Sequence, residues 1–107
     1  MSSKTALKAL DGTSSPVHAT TWDLPTRNAD GTWTAGKWAR VAGKIEYRRN
    51  GLHVCGMEQI SFWRGHLRGR DLQVYVVEYS GHTSIGPHGF AVRTARLLRA
   101  WDGVEEV

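Results

Sequence analysis

Residues 50–81 read NGLHVCGMEQISFWRGHLRGRDLQVYVVEYSG, and this stretch carries the pattern that decides the fold. Its final part, LQVYVVEY at 72–79, is an almost unbroken apolar run, which predicts a central strand buried on both faces. Its first part, LHVC at 52–55, alternates in residue type. The alternation predicts a short strand with His53 and Cys55 on one face, opposite the leucine and the valine.

The segment between these two strands has helical periodicity. Its apolar residues recur at three- or four-residue spacing, at Met57, Ile60, Trp63 and Leu67. Two glycines, Gly65 and Gly69, weaken this pattern and then end it. We therefore predict an amphipathic helix over about 57–68 that packs its apolar stripe against the sheet.

Further strands are predicted before this unit. Residues 5–10, TALKAL, form one of them, and strand-type residues within 37–47 form another. The Asn50-Gly51 pair is a strong hairpin signal. It predicts a turn that joins the end of the second strand to the strand at 52–55.

Two segments rich in turn-forming residues predict loops. Residues 24–36 contain proline, asparagine, aspartate and glycine, and residues 81–89 read GHTSIGPHG. The first loop is long for a compact domain, so we expect it to flank a cleft near His53. The composition of 90–101 fits both a helix and a strand.

The composition bounds the domain organisation. A chain of 107 residues has room for one domain with one core, and 40% hydrophobic residues with a mean hydropathy of -0.41 are typical of a folded globular protein. Five tryptophans supply large core side chains, or one or two of them form a stacking surface for a base or a sugar. We predict one α+β domain over 1–107, with a small, mainly antiparallel twisted sheet, one principal helix and frayed ends at both termini.

The cysteine content and hydropathy indicate a compartment. The chain has one cysteine, so no internal disulfide forms and a reducing cytoplasm is the expected location. No apolar run approaches the roughly 18 residues of a membrane span, and the first residues lack a signal-peptide core, so no membrane partner is expected. Cys55 with His53, His82 and His88 lacks the spacing of a zinc site, so no metal is expected.

The charge distribution favours acidic partners. The formal net charge is +4 and the isoelectric point is near 9.6. A basic surface is predicted from arginines in two groups, Arg64, Arg68, Arg70, Arg93, Arg96 and Arg99. Such arginines form either a phosphate-facing patch or a solvated face. Nucleic acid is one candidate partner, although no nucleic-acid-binding motif accompanies the charge.

The segments RNGLHVCGMEQISFW, VYVVEYSG and VRTARLLRAW resemble a family of small uncharacterised proteins of actinobacteria and their phages. That family has a C-x-N-G-L-H-x-C turn, a helix, a W-E-V-E-x-x-G strand and a final R-R-A-R-L-L-R strand. Its opening is similar to KALDGTSSPVHATTWDLP in this chain. The resemblance implies that 90–101 is a strand and that the protein is phage-type. For a phage-encoded protein, the expected cytoplasm is that of the host cell. Arg48 stands where the family has its first cysteine, which removes half of any cysteine pair.

A more distant resemblance is to ADP-ribosyltransferase-like folds. Rifampin ADP-ribosyltransferases have an H-V-Y-F-T strand, a helix and a G-R-I-Y-I-V-E-P-T-G strand, to which HV at 53–54 and VYVVEYSG at 74–81 are similar. A small family with the motif G-F-I-H-C-S is similar around 51–55. The resemblance implies NAD as a ligand. The usual first-strand histidine followed by Gly-Thr is absent, and DGT at 11–13 stands there instead.

The residues predicted to contact a ligand are His53, Cys55, Tyr75, Glu78 and Trp22. His53 and Glu78 are the candidate catalytic residues. Burial would raise the pKa of Glu78 unless an arginine keeps it ionised, and Arg93 or Arg96 on a neighbouring strand could be that partner. His53 and Cys55 share a strand face, but a nucleophilic pair also needs hydrogen-bond contact and an orienting third group.

Three functions are consistent with these residues. The favoured one is a phage-type accessory protein of unknown function that binds a host macromolecule, most of all a host protein, without catalysis. The second is a degenerate ADP-ribosyltransferase-like domain that binds NAD or another nucleotide, and without that ligand no cofactor is expected. The third is a nucleic-acid binder that uses the basic surface. The first is favoured because the chain lacks a phosphate loop, paired carboxylates and a complete catalytic set.

Overall fold

The structure, a computed structural model, describes residues 4–11, 21–66, 72–104 and 107. Within these residues there are seven strands, a 3-10 turn and one short helix. In chain order they are β1 (Lys4–Asp11), β2 (Thr26–Arg27), β3 (Trp33–Thr34), β4 (Ala39–Arg40), β5 (Leu52–Val54), the 3-10 turn (Met57–Gln59), α1 (Ile60–His66), β6 (Leu72–Gly86) and β7 (Gly89–Ala100).

The longest strands, β6 and β7, form a hairpin around which the main sheet is built. They pair antiparallel from Gly86 opposite Gly89 at the turn to Tyr75 opposite Ala100 at the far end. Strand β1 pairs antiparallel with the other edge of β6. Strand β6 is therefore flanked on both sides, which confirms the central strand predicted from its apolar run. Strand β1 and the strand character of 90–101 are confirmed as well.

The outer edge of β7 is shared by two short strands. Strand β4 pairs with it at Ala95, and β5 pairs with it at Val92. The sheet then curls so far that the residue after β5 reaches β1, where Leu7 and Cys55 exchange backbone hydrogen bonds of 2.7 and 2.9 Å. Strands β1, β6, β7 and β5 thus form a ring that is closed at this pair of residues.

Apolar side chains cover both faces of this sheet. The first core is the cluster of Ala6, Leu10, Trp22, Leu52, Val54, Val77, Val92, Ala95 and Leu97. The second core lies beneath α1 and consists of Leu7, Ala9, Cys55, Ile60, Val74, Val76 and Trp101. Neighbouring residues of β1 and β6 alternate between the two cores, which explains why apolar residues stand next to each other at 6–7, 9–10 and 74–77.

The helix predicted over 57–68 is observed in the part of that span that the structure describes. It begins as the 3-10 turn, continues as α1 and is described as far as residue 66, and 67–68 lie outside the described residues. The Gln59 side chain accepts a 2.8 Å hydrogen bond from the Gly56 backbone N–H and so holds the first turn. Ile60 is buried in the second core, where Met57 and Trp63 pack against it. The predicted apolar stripe is confirmed for these three residues.

The loop predicted over 81–89 is wrong. Strand β6 continues to Gly86, and Pro87 and His88 form the turn into β7. The register between the two strands shifts between residues 80 and 83, where Gly81 has φ 89°. A bulge at a glycine with positive φ absorbs one extra residue and lets the pairing resume beyond it. The glycine that suggested a loop is therefore what allows the strand to continue.

The hairpin predicted at Asn50-Gly51 is also wrong. The turn lies earlier in the chain, over 47–49, where Arg48 has φ 66° and Glu46 and Asn50 form a β-bridge. The Asn50 side chain donates hydrogen bonds to the carbonyls of Ala42 and Lys44, so it braces the preceding segment. Strand β5 pairs with β7 and not with 44–47, because β7 offers the longer apolar edge.

The segment 24–36 is only in part the loop that was predicted. It contains a small hairpin of β2 and β3, in which Asn28 and Thr32 are joined by a backbone hydrogen bond of 2.8 Å. Gly36 then donates a 2.9 Å hydrogen bond to the Leu97 carbonyl of β7, whereas His53 lies opposite Ala91. Residues 91 and 97 of an extended strand are roughly 20 Å apart. The segment therefore does not flank His53 as expected.

The architecture as a whole is a small, mostly antiparallel sheet with a short helix, which confirms the predicted α+β class at this level. Strand formation before the hairpin is weaker than predicted, since β4 covers two residues of the expected 37–47 strand. None of the helices in the described part of the chain is long and apolar enough to cross a lipid bilayer.

Candidate functional site

The residues predicted to contact a ligand lie in separate environments. Trp22 is buried in the first core, and Tyr75 packs against the same cluster. Cys55 is buried in the second core, on the other face of the sheet. Glu78 is paired with Arg96. His53 lies opposite Ala91, near the end of β7 that follows the turn from β6. The structure thus brings Trp22 and Tyr75 to one face and holds the others apart from them.

His53 and Cys55 have structural surroundings. The Nε2 atom of His53 accepts a 2.7 Å hydrogen bond from the Arg48 backbone N–H, and its ring lies 5.6 Å from the Tyr47 ring, centre to centre. His53 therefore holds the 47–49 turn in place. Burial raises the pKa of the Cys55 thiol to about 12, although the nearby charge of Lys8 acts in the opposite direction. A thiol that remains protonated at neutral pH is a poor nucleophile.

Glu78 is part of a charged and aromatic row on the sheet surface. Its Oε1 atom accepts a 2.8 Å hydrogen bond from Nε of Arg96, which lies opposite it on β7. Of the two arginines expected from the sequence as partners of Glu78, Arg93 and Arg96, the structure places Arg96 there. The Arg96 guanidinium also lies over the ring of Trp38, 4.6 Å from its centre. One guanidinium thus links a carboxylate to an aromatic ring that is 45% exposed.

We define the Trp38 surface as the exposed side chains along and beside this segment together with the arginine over the ring: Leu24, Lys37, Trp38, Arg40 and Arg96. The Asp23 carboxylate accepts a 2.8 Å hydrogen bond from the Lys37 backbone N–H, which draws the segment that carries Leu24 beside the start of β4. A Cβ at Gly36 would collide with the backbone of Asp23, so this close approach needs glycine. Leu24, Lys37 and Arg40 are all exposed.

Comparison of the chain with protein-family models, with curated proteins and with solved structures finds no match. Function is therefore inferred from the side chains and their surroundings.

Lys8 is the residue with the most unusual surroundings, and the sequence analysis did not single it out. It lies on β1 between Ala6 and Leu10 of the first core and opposite Tyr75 of β6, with 8% of its surface exposed. Its Nζ atom is 5.8 Å from the centre of the Trp22 ring. The signal in the sequence was the alternation in TALKAL, which places a lysine at an inward position of a strand where lysine is seldom found.

Burial lowers the pKa of Lys8 to about 8, because the ammonium loses its hydration, and negative charge on the nearby Cys55 sulfur acts in the opposite direction. Both described ion pairs of the chain are formed by other residues, Lys44 with Glu46 and Arg96 with Glu78. In the described residues, no carboxylate therefore compensates the charge of Lys8.

The arginines of the predicted basic surface have different surroundings, and some of them lie outside the described residues. Arg93 donates hydrogen bonds to the carbonyls of Val41 and Gly43, at 2.9 and 2.7 Å, and Arg96 is paired as described. Arg99 is half-buried and opposite Val76. Arg68 and Arg70 lie outside the described residues, as does the side chain of Arg64.

His88 and the helix form an aromatic contact at the turn of the β6–β7 hairpin. The ring of His88 stacks on Phe62 at 3.7 Å between centres, and Trp63 Nε1 donates a 2.7 Å hydrogen bond to the His88 carbonyl. This contact docks α1 on the β6–β7 hairpin. Among the described residues, no three His, Cys, Asp or Glu side chains lie close enough to hold a metal ion.

Proposed function

We propose that this domain acts without catalysis, by binding a protein partner through the Trp38 surface. The observation that carries the proposal is the exposed Trp38 ring fixed in place by Arg96, whose guanidinium is in turn held by Glu78. Tryptophan and arginine are the residues that most often dominate the energy of protein interfaces. A ring that is already ordered loses little conformational entropy when it binds, which favours affinity.

The chemistry of the surface specifies the kind of partner. Leu24 and Trp38 offer apolar area, and Lys37 and Arg40 place exposed positive charge beside it. The complementary partner is an acidic protein segment with an apolar side chain among its carboxylates. The charge of +4 on the whole chain would attract such a segment before contact.

The arginine contacts favour a protein partner over nucleic acid. Arg96 is occupied by the Glu78 carboxylate, and the two terminal nitrogens of Arg93 are occupied by backbone carbonyls. Phosphate binding needs cations with free donors, and these two arginines already donate hydrogen bonds within the fold. A phage-type role with a host protein as the partner, and a reducing cytoplasm as its location, are supported by the sequence resemblance and by the single cysteine alone.

Peptide selection followed by titration tests this proposal. A displayed library of random 12-residue peptides is expected to yield binders in which Asp or Glu flank one apolar residue. Trp38→Ala should weaken the selected peptide by at least about 10-fold in fluorescence anisotropy, since central tryptophans contribute about 2 kcal/mol or more. Glu78→Gln should weaken it less, because it frees Arg96 without removing the ring.

Ile85→Ala is the matched control, since Ile85 is 84% exposed on the β6–β7 hairpin and should leave the affinity unchanged. Selection of basic peptides, or binders that tolerate Trp38→Ala, would show that the proposal is wrong. Binding of a 12-nucleotide single-stranded DNA that weakens steeply with salt but ignores Trp38→Ala would support the nucleic-acid function instead.

A nucleotide-binding domain of ADP-ribosyltransferase-like architecture is a second candidate function. Its support is that Trp22 and Tyr75 lie on the sheet face that carries Lys8, since an aromatic ring and a cation together can hold a base and a phosphate. NAD or ADP-ribose at 100 times its dissociation constant would then stabilise the fold by about 2.7 kcal/mol in thermal unfolding. The absence of any shift with millimolar NAD and ADP-ribose would reject this function.

A further inference from the structure

Residues 46–50, which we call the strap, lie over the end of the β6–β7 hairpin and are tied to the sheet at two consecutive amides. The Oγ atom of Ser84 on β6 accepts a 3.0 Å hydrogen bond from the Tyr47 backbone N–H. The Nε2 atom of His53 on β5 accepts the 2.7 Å hydrogen bond from the Arg48 backbone N–H. Side chains from two different strands therefore hold the strap closed.

Two features of the closed strap cost free energy. A Cβ at Gly86 would collide with the Tyr47 ring, so the ring lies directly on the β6 backbone. Its hydroxyl is buried there and has no hydrogen-bond partner in the described part of the chain. Arg48 has φ 66°, a left-handed conformation that is strained for an arginine. Both costs disappear when the strap lifts, so the closed position depends on its two hydrogen bonds.

The two hydrogen bonds respond differently to pH. A serine hydroxyl accepts at any pH, whereas an imidazole nitrogen accepts only while it carries no proton. Since the Arg48 N–H is the donor, His53 is neutral in the closed strap and carries its proton on Nδ1. A proton on Nε2 would turn the acceptor into a donor that faces another donor. Imidazole ordinarily takes up this proton near pH 6.5.

The charges of the strap oppose a second positive charge beside it. Residues 44–50 contain the cations Lys44, Arg48 and Arg49 and the anion Glu46. The Glu46 carboxylate is already 3.5 Å from the Lys44 ammonium. A protonated His53 would therefore add to an excess of positive charge, which favours release of the strap.

The sheet places uncharged groups next to the imidazole ring. Ala91 lies opposite on β7, and Ser84 lies beyond it on β6. Cys55 is the next residue on the same strand face, and its thiol is neutral because burial raises its pKa to about 12. Arg93, farther along β7, donates to two loop carbonyls. The side chain of His82 lies outside the described residues, so a variant of it serves as the control.

We propose that the strap is a pH-sensitive device, closed over the hairpin while His53 is neutral and released when that ring takes up a proton. The hydrogen bond stabilises the closed strap only in the neutral form of the ring. Its contribution is therefore present above about pH 6.5 and is lost as the pH falls below that value. Release lifts the Tyr47 ring from Gly86 and uncovers the end of the hairpin in an acidic medium.

Amide hydrogen exchange measured by NMR on the full chain tests the proposal. His53→Gln is the decisive variant, because the glutamine oxygen can accept the same hydrogen bond and does not titrate. The exchange rate of the Arg48 amide in wild type, divided by its rate in His53→Gln, should be about 1 at pH 7.5 and about 10 at pH 5, since one hydrogen bond is lost. The ratio cancels the intrinsic pH dependence of exchange. The Tyr47 amide should respond in the same way, because the strap lifts as a unit.

His82→Gln is the matched control and should keep the wild-type response at both pH values. An exchange ratio that does not change between pH 7.5 and 5 would overturn the proposal, and so would loss of the response in His82→Gln. A faster Arg48 amide beside an unchanged Tyr47 amide would also overturn it, since the strap would then stay closed. The ¹⁵N shifts of the wild-type His53 ring need no variant, and a proton on Nε2 at pH 7.5 would contradict the assigned hydrogen bond. None of these outcomes depends on the Trp38 surface.

Discussion

A Lys8→Met variant is expected to be more stable than the wild-type chain at pH 7, by about 2 kcal/mol. The difference between 10.5 and a pKa of about 8 corresponds to about 3 kcal/mol spent on burying the ammonium. Methionine fills a similar volume without charge, and the lost approach to the Trp22 ring subtracts up to about 1 kcal/mol. For a domain of this size the melting temperature should rise by roughly 10 °C.

The pH dependence identifies the cause of this gain. Between pH 8 and 10.5 the unfolded chain holds the Lys8 proton more tightly than the folded chain does, so wild-type stability rises with pH. The pKa of Cys55, raised from 9.0 to about 12, makes stability fall between those values. Lys8 therefore has the larger effect from pH 7 to 9, over which wild type should gain about 1 kcal/mol, whereas Lys8→Met should lose about 0.4 kcal/mol through Cys55.

Urea unfolding of both proteins at pH 7, 8 and 9 measures these differences. Lys44→Met is the matched control, because 83% of the Lys44 side chain is exposed, and its unfolding curves should follow those of wild type. Parallel pH profiles for Lys8→Met and wild type would mean that the Lys8 ammonium is hydrated in the folded state.

Leu97→Ala is expected to destabilise the domain by about 3 kcal/mol. Leu97 is fully buried in the first core, where it lies opposite Val77 on β6. Truncation removes buried apolar volume and leaves a cavity, and both effects lower the free energy of unfolding. The loss is a large share of the roughly 5–15 kcal/mol that stabilises a small domain.

Ile85→Ala is the matched control for this substitution. It removes a similar volume from the same hairpin, but Ile85 is 84% exposed, so a change within about 0.5 kcal/mol is expected in urea unfolding. Equal effects of the two substitutions would contradict the placement of Leu97 at the centre of the first core.

The local sequence pattern was sufficient to predict secondary structure and sheet face where these depend on residues close in the chain. The apolar run at 72–79 predicted the central strand, and the spacing of apolar residues predicted the buried stripe of the helix, to which Ile60 belongs. The alternation of His53 and Cys55 with Leu52 and Val54 also predicted that Leu52 and Val54 share one face, and both lie in the first core. Period-two and period-3.6 patterns are set by backbone geometry, which is why they can be read without a partner strand.

Pairing between distant segments decided what local pattern could not. Gly81 suggested a loop, but pairing with β7 made it a bulge within β6. Asn50-Gly51 suggested a hairpin, but the edge of β7 drew β5 away from 44–47. A turn preference contributes less free energy than the hydrogen bonds and side-chain packing of a whole strand. The strands therefore pair along the longer edge.

The sequence by itself determined the α+β class, the central strand, the helix stripe and the Glu78 pairing with an arginine. Only the tertiary structure decided that Lys8 is desolvated beside Trp22 and that Trp38 is exposed and held by Arg96. The physical reason is that a side chain's hydration and its charged neighbours depend on segments far away in the chain. Residues 8 and 22 meet across the first core, and residues 38, 78 and 96 meet across the sheet, at separations that no local period encodes.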